Sequence, residues 1–133
     1  MSTKSFLSAR RSGLLLVLSM LLTLGSAAHA QEVEVTSGLI CDTQEQVEQF
    51  VALYDGNTRD TAERVNVAEN DPTACVISGI AYVRGRKLAT ARTKDTTFQI
   101  VPILVLGVVT DKGIQAVAPA RYFSAIEVKE IGV

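Results

Sequence analysis

Residues 97–113 read Thr-Phe-Gln-Ile-Val-Pro-Ile-Leu-Val-Leu-Gly-Val-Val-Thr-Asp-Lys-Gly (TFQIVPILVLGVVTDKG). Apolar and β-branched residues fill Thr97–Thr110 with no helical spacing, so the stretch reads as a long strand. Asp111-Lys112-Gly113 is a hairpin turn, and a tight turn forces the next strand to run antiparallel. Pro102 has no N–H to give to a ladder, which points to an edge position or a bulge.

Working outward, Ile114–Ala118 and Tyr122–Ile131 read as two further strands. In the last, Tyr122, Ser124, Ile126 and Val128 share one face, and Glu127 and Lys129 take the other. Upstream, Thr73–Arg84 (TACVISGIAYVR) is a strand whose Gly79 marks a bulge or a close backbone approach. Gly85 begins a turn, and Lys87–Thr93 is expected to return as a hairpin partner. Glu32–Ile40 alternates at first and reads as a short opening strand.

Between these strands lie two helical segments. Asp42 with Glu45, or Thr43 with Gln46, makes a capping box. Val47, Phe50, Val51 and Tyr54 then fall on one apolar stripe, and Gly56 is expected to end the helix as its C′ residue. A second, weaker face is Ala62, Val65 and Ala68 over residues 61–69, opened by Asp60 and Glu63 and stopped by Asn70-Asp71-Pro72. Helices grouped before strands joined by tight turns define an α+β fold. The expectation is an N-terminal helix, or two, packed on a C-terminal antiparallel sheet of about five strands. That sheet either closes as a small SH3-like barrel or stays open.

The first thirty residues have a different character. Lys4, Arg10 and Arg11 precede an apolar run, Gly13–Leu24, which leads to Ala28-His29-Ala30. This is the layout of a cleavable secretory signal peptide, with cleavage expected between Ala30 and Gln31. A run of twelve residues falls short of the roughly 20 that span a bilayer. The expected working form is therefore a single secreted domain, residues 31–133, periplasmic or released, with no stable membrane insertion after cleavage.

The leader holds the only histidine, His29, and both methionines, and the chain has no tryptophan. Residues 31–133 carry all fourteen acids against ten bases. Residues 31–71 contain ten of those acids and two bases, Arg59 and Arg64; residues 72–133 contain four acids and eight bases. A net negative chain with so few bases is no nucleic-acid footprint. The simplest account of the asymmetry is an acidic half covering a basic half. Cys41 and Cys75 are the only cysteines, and an even count in an exported chain reads as a disulfide. Such a bridge would close a loop of about 35 residues, stabilising the fold by roughly 3–4 kcal/mol in the chain-entropy model. It is expected to staple the helical layer to the sheet.

Several chemistries lack their residues. Without histidine after residue 30 there is no Ser-His-Asp or Cys-His machinery and no His-ligated zinc. There is no glycine-rich phosphate loop and no calcium loop of EF-hand pattern, so no cofactor and no metal are expected. The one constellation with binding chemistry is Arg84, Arg86, Lys87, Arg92 and Lys94, which could grip carboxylates or phosphates. Edge-strand charge that blocks aggregation explains the same residues.

The segments Gly38-Leu39-Ile40-Cys41-Asp42-Thr43, Asp71-Pro72-Thr73-Ala74-Cys75, Val83-Arg84-Gly85 and Phe98-Gln99-Ile100-Val101 resemble a group of uncharacterised small exported bacterial proteins with a paired-cysteine domain. The resemblance implies one domain with paired cysteines and carries no activity. The resulting expectation is a non-enzymatic binding or structural domain of the cell envelope, its partner an envelope or extracellular protein or a polyanion. The alternatives are an inhibitor or immunity-type protein of a secreted enzyme, and a small enzyme using carboxylates or a lysine.

Overall fold

The computed structural model describes residues 31–129. Residues 1–30, where the signal peptide and its Ala30 cleavage site are expected, lie outside the described residues, as does the end of the expected last strand. The described chain runs β1 (Val33–Cys41), α1 (Gln44–Leu53), α2 (Thr58–Glu69), β2 (Cys75–Arg84), β3 (Ala89–Arg92), β4 (Thr97–Thr110) and β5 (Gly113–Val128). The five strands form one antiparallel sheet and the two helices pack on it, an α+β fold.

Each helix begins where a side chain satisfies its first free N–H groups. For α1 the cap is Thr43 with Gln46: the Gln46 N–H donates to Thr43 Oγ1 (3.2 Å) and the Thr43 N–H to Gln46 Oε1 (3.0 Å). For α2 it is Asn57, which accepts from the Asp60 N–H at 3.0 Å. The helix therefore starts earlier than the Asp60–Glu63 pattern suggests, and Asp60 sits in its first turn, where an acid suits the helix dipole. Tyr54 rather than Gly56 is next to the end of α1, and Gly56, at φ +102°, makes the following turn. Asn70 ends α2 in the left-handed conformation at φ 52°.

Side chains divide between the two faces of the sheet by alternation. Toward the helices, Leu39, Cys41, Cys75, Phe98 and Ile100 pack on Val47, Phe50, Val51, Ala62 and Val65. Phe98 meets Tyr54 edge-on at 4.9 Å and Phe50 at 6.2 Å between ring centroids. On the other face Ile40, Ile80, Tyr82, Val101, Ile103 and Val105 make a second core, with Tyr122 and Ile126 packed against it. This second core contains strand residues only, so the sheet curls over itself to bury it. The ladders run from β1 to β2, β2 to β4 and β4 to β5, and the return from β5 to β1 is one residue pair, Cys41 with Phe123.

Three local expectations change. Residues 85–92 do not reverse as a hairpin. β2 and β3 lie one after the other along the same edge of β4, Arg84 paired with Ile103 and Ala89 with Ile100. The intervening residues bulge over Pro102, which has a carbonyl to accept but no N–H to donate there. Gly85 is a close-approach glycine: its N–H donates to the Pro102 carbonyl at 2.8 Å, and a Cβ would lie 2.7 Å from Pro102 Cγ. Pro102 thus sits in a central strand beside a bulge, not at an edge. The two expected final strands are one strand, β5, kinked where Val117–Pro119 oppose Leu106 alone. Gly79 does mark a close approach, since a Cβ there would lie 2.9 Å from the Val109 Cβ.

The Cys41–Cys75 disulfide is present, buried, and joins two directly paired residues of β1 and β2. It is a cross-strand bridge, because β1 extends to Cys41 instead of ending before it. It pins the neck of the two-helix excursion rather than tying a helix to the sheet. Asn66 completes the attachment: its side-chain amide donates to the Cys75 carbonyl (2.9 Å) and accepts from the Cys75 N–H (2.7 Å), as a neighbouring strand would.

Two substitutions test these close fits. Asn66→Ala leaves the buried Cys75 backbone without partners and should cost about 1–3 kcal/mol in urea unfolding. Gly85→Ala should cost a similar amount by overpacking against Pro102. Gly38→Ala, where a Cβ meets nothing within 4 Å, should be close to neutral. Equal, small effects at all three positions would contradict the described packing.

Candidate functional site: a cleft between two strand edges

The single pair between β1 and β5 has a consequence for the surface beside it. The Cα atoms of Cys41 and Cys75 are 4.1 Å apart, the spacing of a non-hydrogen-bonded antiparallel pair. The backbone groups of Cys41 therefore point away from β2, toward β5, where Phe123 meets them. With no register shift along the β1–β2 ladder, the same holds at every second residue. Leu39, Ser37 and Val35 turn their N–H and C=O groups toward β5, and Gly38, Thr36 and Glu34 turn theirs toward β2. On the opposite bank the alternation from Phe123 gives Ala125 and Glu127. Leu39 with Ala125 and Ser37 with Glu127 are next in register, yet the ladder stops at Cys41 and Phe123.

The two strands part beyond that pair and leave a cleft of about 540 Å³. Its banks are the β1 residues Glu34–Leu39 and the β5 residues Ser124–Glu127. Its floor is apolar, from Ile80, Tyr82 and Ile103, with Ile126 at the side. Gly38 leaves the space beside it open. At one end Arg84 crosses to Glu34 in a two-pronged ion pair, Nε to Oε2 at 3.0 Å and a terminal nitrogen to Oε1 at 2.7 Å. That hydrogen bond, against the opposing effect of burial, holds the Arg84 pKa above its ordinary value, with the Glu34 charge and Tyr82 adding to it.

The sequence-predicted basic cluster is divided by this geometry. Arg84 turns into the cleft and is held by Glu34. Arg86 and Lys87 are exposed on the bulge over Pro102. Arg92, which has an interaction of its own, and Lys94 lie further along and line a second recess together with Asp95 and Glu127. In β3, Thr90 and Arg92 face outward while Ala89 and Ala91 pack inward on the helix-side core. Sequence reasoning missed Glu34, Ser37, Ser124 and Glu127. The Glu34–Arg84 contact spans 50 residues, and no local pattern announces it.

Among the described residues no helix is long and apolar enough to cross a membrane. Nor do three or more His, Cys, Asp or Glu residues gather in a way that could hold a metal ion. No family model, curated protein or solved structure matches the chain.

The Glu34–Arg84 pair offers a measure of how wet the cleft is. Both side chains are 36% exposed, so solvent screens them, and a double-mutant cycle with Glu34→Ala and Arg84→Ala should give a coupling below about 1 kcal/mol. The raised pKa belongs to a base, so its contribution is complete through the neutral range and fades only at strongly alkaline pH. Salt is therefore the useful variable, and the coupling should shrink as it is added. A coupling of several kcal/mol, unmoved by salt, would mean a closed and dry cleft.

Proposed function

We propose that this protein is an exported, disulfide-stapled, non-enzymatic domain that binds a partner in the cell envelope or outside the cell through the cleft between β1 and β5. The observation that carries this reading is the parted seam: two strand edges in register, open beside an apolar floor. We read the curled sheet as a small barrel unzipped along one seam, which makes the gap a place for a ligand. The leader of residues 1–30 and the buried Cys41–Cys75 bridge support an oxidising compartment. The lining supports holding rather than chemistry. It is mostly backbone, aliphatic side chains and hydroxyls; its Arg84 is already held by Glu34, and its one remaining charge is the single carboxylate of Glu127.

The test is site-directed photo-crosslinking in producing cells, with the photoreactive residue at Ser37 in the cleft or at exposed Glu63 on α2. The exported protein should begin at Gln31 by intact mass and give a discrete adduct from Ser37 alone. The adduct should vanish when Gly38→Phe fills the cleft. Adducts of equal yield from both positions, or one that survives Gly38→Phe, would overturn the reading.

A further inference from the structure

The cleft banks are backbone edges, and a backbone edge is best satisfied by another backbone. We propose that the ligand of this cleft is an extended, neutral-to-basic polypeptide segment that adds as a strand along the open edge of β1. This rests on the reading of the cleft as a binding site and names the chemistry of what enters it.

The phase of the β1–β2 ladder leaves the N–H and C=O groups of Val35 and Ser37 directed into the gap, and Val35, Thr36 and Ser37 are all exposed. A strand laid along this edge gains regularly spaced main-chain hydrogen bonds independent of its side chains. Its alternate residues would face the floor formed by Ile80, Tyr82 and Ile103, which favours apolar residues at every second position. Gly38 presents no side chain to obstruct the approach. The charge of the lining selects further. Arg84 is neutralised by Glu34, and Glu127 on the other bank makes no ion pair among the described residues. The net lining charge is negative, which suits a basic flanking residue on the ligand and disfavours a polyanion.

The backbone character of the site gives it a specific test. The Ser37 N–H takes no part in the β1–β2 ladder, so Ser37→Pro removes a docking donor without removing a ladder bond, whereas Ser37→Ala keeps the donor. The probe is a displayed library of random heptapeptides, selected on the disulfide-bonded exported protein and counter-selected on the Gly38→Phe variant. Binding of selected peptides is then measured by titration, and their position by amide chemical shifts.

Selected peptides should alternate apolar residues and carry Lys or Arg. They should shift the Val35 and Ser37 amides, bind Ser37→Ala like the parent, and lose about tenfold or more in affinity to Ser37→Pro. N-methylation of one bonding amide of the peptide should cost a similar factor. If no clone distinguishes the parent from Gly38→Phe, or if the clones bind Ser37→Pro unchanged, the strand-addition proposal falls. It also falls if the Val35 and Ser37 amides are already protected without ligand. An envelope adduct from Ser37 that proves to be a glycan or lipid would overturn this proposal while leaving the binding-domain reading standing.

Discussion

Cys41 is where the fold is tied. Its side chain bridges to Cys75, its position closes the β1–β2 ladder, and its outward backbone makes the one pair with Phe123 that brings β5 back to β1. The phase of β1 follows from this residue. A cross-strand pair at 4.1 Å turns Cys41 toward β5, and the alternation of a strand then decides which of its neighbours face β2 and which face the gap. The same residue anchors the helices. The two-helix excursion leaves β1 at Cys41 and rejoins the sheet at Cys75, and Asn66 reaches from α2 to bond both backbone groups of Cys75. One covalent link, one ladder end and one side-chain amide meet within a few residues. Movement at this junction would shift the helical layer and the mouth of the cleft together.

The sheet's departures from regularity have a common physical origin in residues that cannot pair or cannot keep their distance. Pro102 lies in the long central strand, where its missing donor would cost a ladder bond. The neighbouring chain instead bulges away between Arg84 and Ala89, leaving Gly85 pressed on the Pro102 carbonyl. Pro119 is absorbed in the kink of β5 opposite Leu106. These irregularities let a sheet of five strands curl around the core of Ile80, Tyr82, Ile103 and Val105. The curl stops short at the β1–β5 seam, and a sheet edge left open in this way is where chains add to one another.

Much of the architecture was legible in the residues. The Val47, Phe50, Val51 stripe, the Thr43–Gln46 capping box and the Asp111–Gly113 turn each depend on neighbours a few positions apart, and each is found where its pattern lies. The alternation in the last strand also survives: Tyr122 and Ile126 join the second core and Ser124 is buried with them. What was not legible depends on residues far apart. A glycine before two basic residues looks like a turn, and only the presence of Pro102 across the ladder makes Gly85 a point of contact. The cleft is a further step removed, because it exists through the relation of β1 to β5, elements separated by most of the domain. Glu34 reads locally as the polar face of a strand and Arg84 as part of a basic run. Their meeting required the register of β1 on β2, which no periodicity supplies.

Strand β1 keeps one edge bonded and the other open, and amide hydrogen exchange on the unliganded, disulfide-bonded protein reads this residue by residue. Exchange should alternate: the Thr36 and Gly38 amides, bonded to β2, should exchange slowly, and the Val35 and Ser37 amides, directed into the gap, should exchange fast. Uniform slow exchange across Val35–Gly38 would instead show the seam between β1 and β5 zipped shut, with no open edge on β1.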